Sequence, residues 1–135
     1  MNTKLVVLFA SILAAVPALA HHSFTAEFDF SKPVTVKGSV TKVDWINPHA
    51  RVYVDAKDAG GNLSHWEFEL GSPNQLMHKG WTRSSLKPGD EVTIDAFLAK
   101  DAVNVGNARE IKLANGKKVF AGSEYSETDK GDTTK

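Results

Sequence analysis

The chain has 135 residues, with 16 basic and 16 acidic side chains, a formal net charge of zero and no cysteine. That length allows one domain, and the charge balance offers no basic stripe for nucleic acid. The lack of cysteine excludes thiolate catalysis, thiolate metal sites and disulfides.

Residues 1–20 read as a secretory signal peptide. Lys4 supplies the positive start, and Leu5–Val16 is an apolar run too short to cross a bilayer as a helix. Pro17 breaks the run, and Ala18-Leu19-Ala20 is a small-x-small cleavage site. Cleavage after Ala20 predicts a periplasmic or secreted protein with no stable membrane insertion. It also removes Lys4, so the mature chain carries one more acidic than basic side chain, and Met77 is the one methionine left. A methionine-rich Cu(I) site is therefore excluded.

Residues 21–33 are expected to form an amino-terminal arm ending at Pro33, whose Phe24, Phe28 and Phe30 pack on something. From Val34 the pattern has period two, with Val34, Val36 and Val40 on one side, and predicts a strand. Gly38 predicts a bend or bulge, because the apolar residues switch afterwards to Val43 and Trp45. "INPHA" (46–50) is a turn. A second strand follows, with Val52, Val54 and Ala56 on one side and Arg51, Tyr53 and Asp55 on the other. "DAGGN" (58–62) is a hairpin turn. The third strand then turns Trp66, Phe68 and Leu70 inward and His65, Glu67 and Glu69 outward.

Ser72-Pro73 opens the one convincing helix, with Ser72 as cap, Leu76 and Met77 packing it down and Gly80 just past its end. "LKPGD" (86–90) leads into a strand of Val92, Ile94, Ala96 and Leu98. Asn104-Val105-Gly106-Asn107 reads as a loop and Ile111 with Leu113 as the last strand. Asn115-Gly116 reads as a type I′ turn that returns the chain through Val119-Phe120. Residues 121–135 are polar and predicted to be a disordered tail. Residues 34–120 thus read as an all-β domain. The order fits a small five-stranded OB-like Greek-key barrel with one short helix between strands 3 and 4, and a small β-sandwich is the alternative.

Chemistry concentrates in the histidines. Cleavage after Ala20 frees the α-amine of His21, which with its own Nδ1 can chelate one metal ion. A further imidazole, from His22 or His49, would complete a T-shaped nitrogen site suited to Cu(II). Histidine is not third in the mature chain, where Ser23 stands, so the familiar amino-terminal copper and nickel motif is absent. The plain alternative is two exposed terminal histidines that bind metal weakly. His65 shares its strand face with Glu67 and Glu69, a face that solvent alone explains. His78 falls near the helix end, where a cation complements the dipole. "DWINPH" (44–49) and the following strand offer a second candidate, a ligand platform of Trp45, Asn47 and Tyr53, against which core and turn roles compete. No nucleophile constellation, zinc-protease motif or phosphate-cradling loop is present, so no enzyme is expected.

Several linked stretches carry a resemblance: "HHSF" directly after the cleavage site, "KPVTVKGSV", "VDWINPHA", "WEFELGSPNQL", "KGWTRSSLKPGDEVTI" and "FAGS". Over most of residues 21–123 the chain resembles a family of small secreted bacterial proteins catalogued as a domain of unknown function. The motif positions of that resemblance are His21, His22, Ser23, Asn47, Pro48, His49, Gly71, Pro73, Gly80, Trp81, Pro88, Gly89 and Asp90. It implies an exported, small β-barrel-like domain and transfers no catalytic residue. The sequence therefore predicts a non-enzymatic periplasmic binding protein that takes copper through His21, His22 and His49 and serves a periplasmic protein or small ligand. The alternative is a ligand- or protein-binding OB-type module without metal.

Overall fold

Six strands in a single sheet carry the fold of the computed structural model, which describes residues 25–122. The strands are β1 (Phe28–Asp44), β2 (Arg51–Lys57), β3 (Leu63–Glu69), β4 (Glu91–Ala99), β5 (Val105–Leu113) and β6 (Lys118–Phe120), and the short helix α1 (Pro73–His78) lies between β3 and β4. Neighbours run β3-β2-β1-β4-β5-β6, all antiparallel. In addition β3 pairs in parallel with β5, through Glu67–Val105, Phe68–Gly106 and Glu69–Asn107. Each of β1 to β4 therefore has two partner strands, and β5 has three. The signal-peptide reading, His21 and His22 all lie outside the described residues, as does the tail from residue 123.

The period-two pattern works because successive strand side chains point to opposite faces. Val52, Val54 and Ala56 of β2, Phe68 of β3, and Val92, Ile94 and Ala96 of β4 are all buried, together with Leu70 just past β3. With Val36, Val40, Leu76, Trp81, Leu86 and Ile111 they form one core. Each large apolar side chain so buried contributes on the order of 1.5–3 kcal/mol.

The bulge expected at Gly38 is found three residues later. The β1–β2 register runs Val40–Val54 and then Lys42–Tyr53, leaving Thr41 as the extra residue. One extra residue changes which alternate positions face inward. That is why the packed side chains pass from Val36 and Val40 to Val43 and Trp45. Gly38 serves another purpose. It pairs with Ala56 on one side and Val92 on the other, and a Cβ there would stand 2.3 Å from the Asp55 carbonyl oxygen.

The α1 helix follows its capping signals. Of the two residues expected to pack it down only Leu76 is buried, while Met77 is exposed because it falls on the outer side of this short helix. Ser72 Oγ accepts the Gln75 N–H at 3.2 Å and Gln75 Oε1 accepts the Ser72 N–H at 3.0 Å, a complete capping box with Pro73 in the first turn. Gly80, at φ +90°, turns the chain out of the helix, and the Trp81 N–H returns to the Leu76 carbonyl at 3.0 Å.

Several boundaries differ from the sequence reading. Strand β1 begins at Phe28, not Val34, because Phe28 and Asp29 already pair with Ala99 and Leu98 of β4. Pro33 is tolerated there because β1 pairs with β4 alone over that stretch, so its missing N–H costs no ladder bond on the other side. Strand β5 begins at Val105, inside the expected loop. At Asn115-Gly116 the one positive φ is Gly116, at +83°, and the Gly116 N–H bonds the Leu113 carbonyl at 2.9 Å. This is a type I turn followed by a left-handed glycine, rather than type I′. Ala121 and Gly122 are buried, and the Gly71 N–H donates to the Ala121 carbonyl at 2.9 Å, so the ordered body extends past residue 120.

Candidate functional site

The backbone first brings His49 and Glu69 together. The Leu70 N–H donates to the Ala50 carbonyl at 2.8 Å, and the Ala50 N–H to the Gly71 carbonyl at 3.0 Å. These two bonds extend the β2–β3 ladder by one step beyond Arg51–Glu69. His49 enters this clamp directly from the Asn47–Pro48 turn, whose peptide bond is cis. The His49 Nδ1 then stands 3.2 Å from Glu69 Oε1, with the His49 side chain 40% exposed and that of Glu69 only 14%. The hydrogen bond that the imidazole donates to Glu69 holds it above its ordinary pKa, helped by the charges of Glu69 and Glu27 and opposed by burial.

Behind Glu69 lies Asn107, fully buried in β5, whose Nδ2 reaches Glu69 Oε1 at 3.5 Å, the long end of a hydrogen bond. Its Oδ1 is buried without a partner, a rare condition for a native polar atom. Beside this line runs a second ion pair, Arg51 with Glu67, which raises the guanidinium pKa further. Both carboxylates of the expected solvated strand face are thus engaged and shielded. Arg51, Glu67 and Glu69 also line a cavity of about 330 Å³, together with Glu27 and Phe28. The Lys100 N–H donates to the Glu27 carbonyl at 2.9 Å, which fixes the entry of the chain beside this cavity.

The other predicted residues separate. Tyr53 lies on the outer face of β2, with the Lys42 ammonium 5.1 Å above its ring, and lines a groove with Trp66. Burial and the nearby Glu67 and Asp44 charges push its phenol pKa up. Trp45 instead packs against Trp81, ring centroids 6.5 Å apart, at the core. Asn47 is exposed in its turn. Neither Trp45 nor Asn47 is among the residues of the Tyr53 groove. His65 pairs with Asp55 at 2.6 Å, and its side chain is 76% exposed. His78 stands in the last turn of α1. Among the described residues no group of three or more histidine, aspartate and glutamate side chains is close enough to hold a metal by itself.

Glu69 as a partner of His49, and Asn107 behind it, were not singled out as site residues in the sequence. The trace they leave is an asparagine set between Gly106 and Ala108, small residues that let a strand pack tightly. Among known proteins, residues 10–108 match the model of a family of unknown function, DUF6152. No curated protein and no solved structure matches the chain.

Proposed function

The chain belongs to the DUF6152 family of unknown function, so its activity has to come from its own residues, and we propose that it is an exported, non-enzymatic protein that binds Cu(II) at its processed amino terminus. On this reading residues 1–20 are removed after Ala20. The α-amine and Nδ1 of His21 chelate the ion, and His22 and His49 supply further imidazole, giving a carrier or sensor of copper for a periplasmic partner.

The observation that carries the reading is the state of His49. Its Nδ1 is taken by the shielded Glu69 carboxylate, which fixes the ring and leaves Nε2 as the nitrogen available to a ligand. A carboxylate behind the far nitrogen is the usual support of a metal-binding histidine. Reach supports it as well, since His21 lies four residues before Thr25, a span of up to ~14 Å for an extended chain. We read the fold as an OB-like five-stranded Greek-key barrel with β6 as a returning edge. Support comes from the circuit of pairings β1-β2-β3-β5-β4-β1 and the helix between β3 and β4.

Calorimetric titration of the processed protein with Cu(II) is the test. Sub-micromolar binding is expected, and it should vanish when one residue is added before His21, since the amine then moves off the chelate. Equal binding by the extended protein would refute the amine-based site.

A further inference from the structure

A second region lies on β3, apart from the three histidines. Strand β3 is paired along its whole length with β2, from Leu63–Lys57 to Glu69–Arg51. On its other side it meets β5 only at Glu67, Phe68 and Glu69. Among the described residues, Leu63–Trp66 therefore have a strand neighbour on one side alone. The Glu67 N–H turns toward this outer side and donates to the Asn104 carbonyl at 3.0 Å. Main-chain groups alternate in direction along a strand, so the N–H and C=O of His65 and Leu63 turn the same way. Leu63 is 54% exposed.

A groove of about 440 Å³ opens beside the free edge of β3, lined among others by Tyr53, Trp66, Val103, Asn104 and Val105; Trp66 also stacks on Phe68 of the core. Val103 is 87% exposed, an apolar side chain standing on the rim. Asn104 holds the loop in place with φ +56° and through its bond to Glu67. The charged groups of the groove are matched internally. Lys42 pairs with Asp44 and Glu67 with Arg51, while Asp55 is hydrogen-bonded to His65. An anionic occupant would find no unpaired cation among them, and this disfavours polyanions. What the edge offers is a row of main-chain donors and acceptors beside an apolar slot. Its complement is an uncharged chain in extended conformation.

We propose that the edge of β3 at Leu63–Trp66 is a docking site for an extended, uncharged peptide segment of another protein, which adds to the sheet as a strand and seats an apolar side chain between Trp66 and Val103. The site is short, and a short open edge limits indiscriminate pairing with other chains. It goes beyond the copper reading and uses none of its ligands.

The test titrates a capped heptapeptide of alternating threonine and valine into the isotope-labelled full chain, followed by backbone amide signals. Saturable shifts are expected at Leu63, His65 and Val103–Val105, with slowed solvent exchange at the His65 N–H. His65→Pro removes that outward N–H from a position where the β2 ladder does not need it, and should abolish binding with the remaining spectrum unchanged. Val103→Lys places an unmatched charge on the rim and should weaken binding ~10-fold or more, about 1.4 kcal/mol; it decides alone if the proline variant does not fold. The proposal is overturned if no saturable shift appears or if shifts map elsewhere. It is equally overturned if Val103→Lys binds as tightly as the parent, or if raising protein concentration alone reproduces the shifts, which would make a second copy the occupant.

Discussion

Gly38→Ala should be the most damaging single-methyl change in the sheet. A Cβ at this position meets the Asp55 carbonyl oxygen at 2.3 Å, Val54 Cγ1 at 2.7 Å and the Asp55 carbonyl carbon at 2.9 Å. Ordinary contact begins near 3.4 Å, so the backbones of β1 and β2 must separate by about 1 Å, which a close-packed core resists. Neither strand is free to do so, since β1 is paired there with β4 as well, through Gly38–Val92. Overpacking against side chains costs roughly 1–3 kcal/mol, and a clash with main chain belongs at the upper end. At ~3 kcal/mol the melting temperature of a domain this size falls by about 12–24 °C. The control is Gly60→Ala, where the nearest atoms are side-chain ends of Asn62 and Asp58 at 3.2 and 3.3 Å; that change should stay within roughly 0.5 kcal/mol. Thermal unfolding followed by circular dichroism compares the two. A Gly38→Ala protein that melts with the parent would show that β1 and β2 are not held as closely as this, and the account of the bulge at Thr41 would go with it.

Replacing Glu69 by Gln should lower the His49 pKa toward its ordinary value, because the hydrogen bond to Glu69 is the largest cause of its elevation; a proton NMR titration of the ring checks this, and an unmoved midpoint would refute the pairing. The sign for stability follows from a raised folded-state value. The contribution of His49 is fully present below its unfolded pKa of about 6.5 and is lost as pH rises through the folded value. The destabilisation caused by Glu69→Gln, measured by urea unfolding, should therefore be larger at pH 6 than at pH 8. Ser72→Ala removes half of the capping box and should cost about 1 kcal/mol, read as a lower urea midpoint with an unchanged slope. A value near zero would mean that the Gln75 side chain alone holds the helix entry.

Local pattern was enough wherever a segment's environment repeats at its own period. The half-buried strands β2, β3 and β4 and the capped helix α1 stand where their residues place them. It failed where a distant strand decides. The Asn104–Asn107 stretch has loop composition, yet Gly106 is in β5 because Phe97 of β4 and Phe68 of β3 approach so closely that a Cβ would lie 2.9 Å from the Phe97 carbonyl oxygen. Nothing local to Gly106 records either neighbour. Pro33 likewise suggested a break, and only the one-sided pairing of β1 explains why the strand runs through it. In the candidate site the histidine was visible by residue type, while its partner was hidden. Glu69 is one of two outward carboxylates on a strand, and it is the Ala50 clamp on Leu70 and Gly71 that turns it toward His49.

The two regions proposed for function share one strand and one wall. Glu67 and Val105 line both the groove at the β3 edge and the cavity beside Glu69. The Glu67 N–H anchors the Asn104 loop and its carboxylate anchors Arg51. Any change at Glu67 therefore disturbs both regions and cannot tell them apart. Val103 lines the groove but not the cavity, and His49 lines neither. Substitutions at these two positions separate the readings. Loss of copper binding with an intact peptide response, or the reverse, would mark two independent sites. Coupled loss from either alone would mean that strand β3 transmits between them through the Glu67 bonds.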